Sequence, residues 1–387
     1  MSNELKPQIR FKGFEDDWEN TIIDKILSIG NGHDYKHLQN GQIPVFGTGG
    51  LMTFVSEFLY EGETVFIGRK GTIDKPMFYE GKFWTVDTLF YTYNFTNSIP
   101  RFVYPMFQTI NWYSYNAATG VPSLSKETIK EIKINIPKTI NEQKNIGSYF
   151  ANIESLISET EREIGRLEKL NKASLQKMFP RPGTTTPEIR FAGFTEPWNV
   201  GKLSDILETN DIRNTGNKYG REDVLSVSGD CGLVNQIEFQ GRSFAGASLL
   251  GYKITKPGQV IYTKSPLKAK PFGIIKSNQY GIGIISPLYA VYNSKEDNVA
   301  DFVHYYFALD TKLNNYLRPL INKGAKNTIL ISDETALNGE IVYPSGKEQK
   351  FIADYFIKLD KLLVSKRQKL DKLRQIKQAC LDKMFIN

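Results

Sequence analysis

From residue 142 to 179, and again from 348 to 385, apolar side chains return every three or four positions. The first stretch sets Ile146, Tyr149, Phe150, Ile153, Leu156, Ile157, Ile164, Leu167 and Leu170 on this spacing. The second sets Ile352, Tyr355, Phe356, Leu359, Leu362, Leu363, Leu370, Leu373 and Ile376 at the same relative positions. Steps of three and four trace one apolar stripe along a helix, with charged residues between. Neither stretch contains proline, and only Gly147 and Gly165 weaken the first. Each predicts a helix of roughly 35–40 residues, about 55 Å long at 1.5 Å per residue. A stripe of that length needs a partner, and the other copy supplies one. The expectation is an antiparallel coiled coil, with the middle of the first helix, near Thr160, exposed.

The segments between read as strands. ETVFIGR (63–69), FWTVDTLFYTY (83–93), GQVIYTK (258–264) and GIGIISPLYAVY (281–292) alternate or run apolar, rich in Val, Ile, Tyr and Phe. VFGTGG (45–50) is followed by Leu51-Met52-Thr53-Phe54-Val55, another strand. A nucleotide or S-adenosylmethionine loop would lead into a helix instead, so this one predicts a turn. Each middle also holds an aromatic patch of helical character, at 101–115 and 301–317. Each closes on a short apolar stretch, IKINIP (132–137) or GEIVYP (339–344).

The chain is a tandem duplication. PQIRFKGFEDDW (7–18) and PEIRFAGFTEPW (187–198) agree at seven of twelve positions, 180 residues apart. EQKNIGSYFANI…LQKMF (142–179) and EQKFIADYFIKL…LDKMF (348–385) match 206 residues apart. Each copy runs from this lead-in to a Lys-Met-Phe close, so 7–179 and 187–385. The second copy is 26 residues longer, all between the matched ends. A pseudo-two-fold relation would place Lys383-Met384-Phe385 beside Pro7, as Lys177-Met178-Phe179 lies beside Pro187. The arrangement is almost circular.

The fold class expected is α+β: two strand-rich domains separated by two long antiparallel helices. The first domain takes 1–140 and its helix 141–180; 181–198 is linker and repeated lead-in. The second domain takes 199–345 and the second helix 346–387.

A chain of 387 residues, 40% hydrophobic and 24% charged, is long enough for two or three cores. The net charge of +7 suggests nucleic acid until its location is examined. Residues 20–135 hold 10 basic and 10 acidic side chains, and residues 199–341 hold 16 and 14. Residues 342–387 hold 11 and 5, so the excess lies in the second helix. Any DNA contact by the middles must come from local placement of cations. Cys231 and Cys380 make neither a disulfide framework nor a metal cluster. No apolar run reaches the 18 or more residues of a membrane span, and MSNELKPQIR is no secretory signal. The cytoplasm is the expected compartment.

Catalytic chemistry finds little to use. His33 and His37 sit in the turn-forming NGHDYKHLQNG, and His304 in the aromatic patch. No Gly-x-Ser-x-Gly elbow or Gly-Lys-Ser/Thr phosphate loop is present. A DNA methyltransferase would carry Asn/Asp-Pro-Pro-Tyr/Phe and a nuclease a carboxylate–lysine core, and neither occurs. What remains are cationic loops after strands. IGRKGTIDKP (67–76) offers Arg69, Lys70 and Lys75, and YTKSPLKAKPFG (262–273) offers Lys264, Lys268 and Lys270. Such side chains are donors for phosphates and guanine edges. Thr48, Thr72 and Thr119 in the first middle, and Tyr262 and Lys326 in the second, complete the expected DNA-contact set.

Taken together, these features resemble the specificity subunit of type I restriction–modification systems. The resemblance rests on the repeated Arg-Phe-x-Gly-Phe…Trp lead-in, two unlike middles, and the repeated Pro…Glu-Gln-Lys start of a long helix. IPVFGTGG…IGRKGTIDKP…FWTVDTLF is similar to one type of target-recognition domain, and VLSVSGDCG…GQVIYTKSP…SPLYAVY to another. The resemblance implies a non-catalytic reader of double-stranded DNA, each domain taking half of a split site. It implies that the helices set the spacer and dock two modification subunits, with two restriction subunits able to join. S-adenosylmethionine, ATP and Mg would belong to those partners, and this chain would bind no cofactor or metal. The alternative is a stand-alone DNA-binding regulator without a methyltransferase partner.

Overall fold

A computed structural model describes residues 5–229, 232–266, 270–323 and 329–386. Lys268 and Lys326 fall outside the described residues. Two units result, Met1–Glu163 with Lys366–Asn387, and Ile164–Ser365. No helix among the described residues is long and apolar enough to cross a membrane.

In the first unit β1 (Glu19–Ile22) follows the lead-in. The next six strands are β2 (Ser28–Asn31), β3 (Asn40–Gly47), β4 (Gly50–Val55), β5 (Tyr60–Gly68), β6 (Met77–Thr85) and β7 (Leu89–Tyr93). They form one sheet in the order β2-β7-β5-β6-β3-β4, antiparallel except for β3 beside β6. VFGTGG is the β3–β4 hairpin turn, as its sequence predicts. The aromatic patch begins with α1 (Pro100–Thr109), and α2 (Lys126–Lys130) precedes β8 (Lys133–Ile136). β8 pairs with β1, closing the middle onto its own start. The long helix α3 spans Ile140–Lys177.

The second unit repeats the frame with a different filling. β9 (Asn199–Lys202) pairs with β20 (Glu340–Tyr343), as β1 pairs with β8. β10 (Leu207–Asn210), β11 (Leu225–Ser228) and β12 (Gly232–Asn235) come next, then α4 (Gln236–Gln240). β13 (Lys253–Thr255), β14 (Gln259–Tyr262), β15 (Ile275–Ser277), β16 (Gly283–Ile285) and β17 (Ala290–Ser294) follow. The main sheet is β10-β17-β14-β15, and β11–β12 and β13–β16 are separate pairs. The aromatic patch here gives two helices, α5 (Val299–Tyr306) and α6 (Asp310–Leu317). The short pair β18 (Asn322–Lys323) and β19 (Ile329–Leu330) precedes β20, and α7 spans Gly346–Met384.

The repeated motifs meet at one junction in each unit. Arg10 donates two hydrogen bonds to Glu142, at 2.7 and 2.9 Å, and Arg190 donates two to Glu348, at 2.7 and 2.8 Å. These bonds push each guanidinium above its ordinary pKa despite desolvation. Ile9 N–H donates to the Lys383 carbonyl, and Ile189 N–H to that of Lys177, both at 2.9 Å. Phe385 then packs on Trp18, Phe102 and Phe150. Phe179 packs the same way on Trp198, Phe302 and Phe356. The chain opens the same way twice because each lead-in receives the end of one long helix and clamps the start of the other.

The helix seam corrects the expected stripe. Ile146, Phe150, Ile153, Thr160 and Ile164 are buried on α3, and Ile352, Phe356, Leu359, Leu363 and Leu370 on α7. These positions follow a heptad rhythm of four and three, so a polar residue can fall on the seam. Thr160 does: it is 1% exposed, and its hydroxyl donates to the Leu156 carbonyl at 2.7 Å. The middle of α3 is therefore not exposed there. Leu156, Leu170, Leu362 and Ile376 lie off the seam and are exposed instead. In the first unit the helices are tied by Lys377–Glu154 at 2.6 Å, Arg374–Glu161 at 2.7 Å and Lys366–Glu163 at 2.5 Å. Part of the cationic excess of residues 342–387 thus answers carboxylates of α3.

His304 of α5 is buried with Lys276 Nζ 3.2 Å from one ring nitrogen and the Ser277 hydroxyl 3.0 Å from the other. Burial, then the Lys276 charge, hold the imidazole well below its usual pKa. The unfolded chain takes up a proton near pH 6.5 and the folded one does not, so stability falls as pH drops below that value. The loss approaches about 1.4 kcal/mol per pH unit. Hydrogen exchange of α5 should therefore quicken between pH 7 and 5.5, corrected for intrinsic rates, and His304→Gln should flatten the dependence.

Candidate DNA interface

In the first unit three loops meet at one place. β5 ends at Gly68, where a Cβ would lie 2.0 Å from the Thr72 carbonyl oxygen, so only glycine lets the loop fold back. Gly71, at φ +86°, continues the turn, and the site of its missing Cβ is 3.9 Å from Thr48 Oγ1 of the β3–β4 hairpin. Gly71 N–H donates to the Pro122 carbonyl at 2.9 Å, and Leu124 N–H to that of Arg69 at 2.9 Å. Backbone bonds thus join the 69–75 loop to the 117–123 loop.

Arg69 Nη1 donates to the Asp87 carbonyl at 3.2 Å, with the guanidinium 5.8 Å from the centre of Phe90. Arg69 is half-buried and makes no other side-chain hydrogen bond among the described residues. Lys70, Lys75 and Thr119 are exposed, and Thr48 and Thr72 half-buried. Neither lysine has a carboxylate partner among the described residues. Tyr113 and Val121, 52% and 66% exposed, flank this cluster in sequence and were not signalled by charge.

The second unit assembles three loops in the same chain order. The site of a Cβ on Gly229, in the β11–β12 connection, is 3.8 Å from Lys270 Cε of the loop after β14. Lys264 of that loop donates to Asp333 Oδ1 at 2.5 Å, in the segment after β19. Lys253 donates to the other oxygen at 2.6 Å and lies 3.3 Å from Asp211, itself bound by Arg213 at 2.8 Å. Burial pushes the Asp333 carboxyl up, but the two lysines outweigh it and hold it below the usual carboxylate range.

The type I restriction modification DNA specificity domain family model matches residues 15–171. Over that segment the chain is similar to type I specificity subunits. It is 23% identical over 292 residues to a protein named as the type I restriction enzyme MjaX specificity subunit of Methanocaldococcus jannaschii. With the MjaVIII specificity subunit of the same organism it shares 22% over 336 residues. These matches cover 71% and 82% of this chain, and 64% and 74% of the relatives. The crystal structure of a type I S subunit from M. genitalium has the same fold, at a TM-score of 0.67 and 13% identity, with 99% of each chain covered.

Within this frame the expected contact residues separate into two groups. Thr48, Arg69, Lys70 and Thr72 are brought together by the loop contacts of the first unit, with Lys75 at the end of the same loop and Thr119 in the 117–123 loop bonded to it. Those of the second unit are largely engaged inside the protein. Tyr262 is a correction: it is 0% exposed, and its hydroxyl donates to the Phe272 carbonyl at 2.7 Å. Burial raises its pKa, and the ring belongs to the core because β14 is buried along its whole length. Lys264 is held by Asp333 with 18% of its side chain exposed, and Lys270 is paired with Asp310. Charge in the sequence did not reveal these carboxylates, which lie 69 and 40 residues away.

Proposed function

We propose that this chain is the non-catalytic DNA-reading subunit of a type I modification complex in the cytoplasm. Each strand-rich domain reads one half of a bipartite, asymmetric site in double-stranded DNA. The long helices set the unread spacer and dock two modification subunits, which bring S-adenosylmethionine and methylate adenine. Restriction subunits using ATP and Mg join the same complex. The observation that carries this reading is one duplicated frame bearing two unlike three-loop clusters. A repeated frame suits two equal partners, and unlike loops suit two different half-sites. The exposed apolar side chains support the docking part. Leu156 and Leu362 are equivalent between the copies, and so are Leu170 and Ile376.

Exchange of one middle tests the reading. Because β9 and β20 pair, the replaced segment should run from Asn199 to Tyr343 so that neither partner strand is cut. Methylome sequencing of a host carrying the exchanged chain and its modification subunit should show one half-site changed and the other retained. Change in both halves would overturn independent reading.

The first cluster makes a separate prediction. Lys70→Ala and Lys75→Ala should each weaken all duplexes alike and lower the salt slope by about one. Arg69→Ala should relax one base position at a cost of about 1–3 kcal/mol. Fluorescence anisotropy at several salt concentrations separates the two behaviours. Unchanged affinity in all three variants would return this loop to an ordinary solvated role.

A further inference from the structure

Both units face the same mechanical problem: the loop after the central strand must be fixed against a later loop of the chain. The first unit solves it with main chain, through the Gly71–Pro122 and Leu124–Arg69 bonds. The second has no such pair of bonds among the described residues and uses the Lys264–Asp333 contact instead. Lys264 stands at φ +47°, a left-handed conformation that a lysine adopts only when its surroundings hold it. Asp333 follows the β18–β19 pair by three residues, and the Tyr292 hydroxyl donates to its carbonyl at 3.1 Å. Lys253, 4% exposed, anchors the same carboxylate and leads through Asp211 to Arg213. One carboxylate therefore fastens the loop after β14, the segment after β19 and the start of β13.

We infer that Asp333 is a specificity-determining positioning residue for the half-site read by the second unit. It does not touch DNA; it holds the Lys264 loop in its reading conformation. It also keeps the Lys264 ammonium from acting as a free phosphate anchor. This rests on the DNA-reading function proposed above.

The consequence has an unusual sign. Removing the carboxylate releases a cation while loosening the loop, so Asp333→Asn should bind DNA less selectively yet more readily. The test uses the full chain with its modification subunits and a pool of duplexes randomised over the bound region. Selection with the parent chain should return a two-part sequence. With Asp333→Asn, preference at the half-site of the second unit should fall about tenfold or more, since each lost base contact is worth about 1–3 kcal/mol. Preference at the other half-site should hold. On one fixed duplex lacking the selected site, affinity should rise and the salt slope steepen by about one. Adding Lys264→Met to Asp333→Asn should abolish that gain.

Lys264→Met alone leaves Asp333 paired with Lys253, so it tests the loop without orphaning a carboxylate. It should lose the same half-site without any gain on the fixed duplex. Asp333→Glu should recover part of the preference. If both Asp333→Asn and Lys264→Met keep full selectivity, or if both half-sites decay together, the inference is overturned. A parent chain that selects no two-part sequence would instead overturn the reading on which it rests.

Discussion

Glu348→Ala is expected to destabilise the second unit by about 3–5 kcal/mol, enough to unfold many domains of this size. The Glu348 side chain is 1% exposed and takes both Arg190 hydrogen bonds, and Arg190 itself is 13% exposed. Removing the acid strands a guanidinium in a place where water reaches it poorly, which is what makes breaking such a pair costly. The same carboxylate fastens the start of α7 to the lead-in, beside Phe191 packed against Phe351 and Tyr355. Glu142→Ala should do at least as much damage in the first unit, because Glu142 also accepts from the Trp18 indole N–H at 3.2 Å. Asp24→Ala is the control: the Lys130–Asp24 pair has side chains 40% and 49% exposed, where solvent screens the charges, so its loss should be hard to detect. Urea unfolding, with hydrogen exchange to assign the loss to a unit, measures all three. A loss below about 1 kcal/mol for Glu348→Ala would show that the buried-pair cost does not apply at this junction.

Four residues inserted into α3 are expected to move the two half-sites apart while leaving their bases unchanged. The buried Thr160 rules out the insertion point that the sequence suggested. The better place is after Glu163, where the first unit ends and its last described interhelical pair, Lys366–Glu163, is left intact. Four residues add about 6 Å of helix, and B-DNA advances about 3.4 Å per base pair, so the spacer grows by one or two pairs at most. The insertion also turns the helix by about 40°, because four residues overshoot one 3.6-residue turn. Efficiency at the best new spacing should therefore drop. Methylome mapping of the insertion variant, alongside its modification subunit, reads both effects. Full methylation of the original site at its original spacing would show that the helices are not the ruler.

The frame was legible because its signals are local or repeated. A stripe of three- and four-residue steps needs no knowledge of the partner, and a motif printed twice declares that it packs twice. Phe385 against Trp18 and Phe179 against Trp198 are the physical content of that repetition. The candidate contact loops were legible only in part. Arg69, Lys70 and Lys75 were found by charge beside a strand, and the structure leaves both lysines exposed. Lys264 and Lys270 gave the same signal with the opposite outcome, because the carboxylates that hold them are distant in sequence.

The sequence by itself determined the duplication, the α+β class, the two long helices, and the near-neutrality of the middles. Those follow from periodicity and composition, which are properties of short windows. Only the tertiary structure decided which members of the helical stripe face the seam. Thr160 is buried and Leu156 exposed because a heptad rhythm, rather than polarity, sets the contact line. It also decided which cations are available. An ammonium near a carboxylate in space is a tie, and one without such a neighbour is a donor to solvent or ligand. That distinction depends on long-range contacts such as Lys264 with Asp333, which no local pattern of residues encodes.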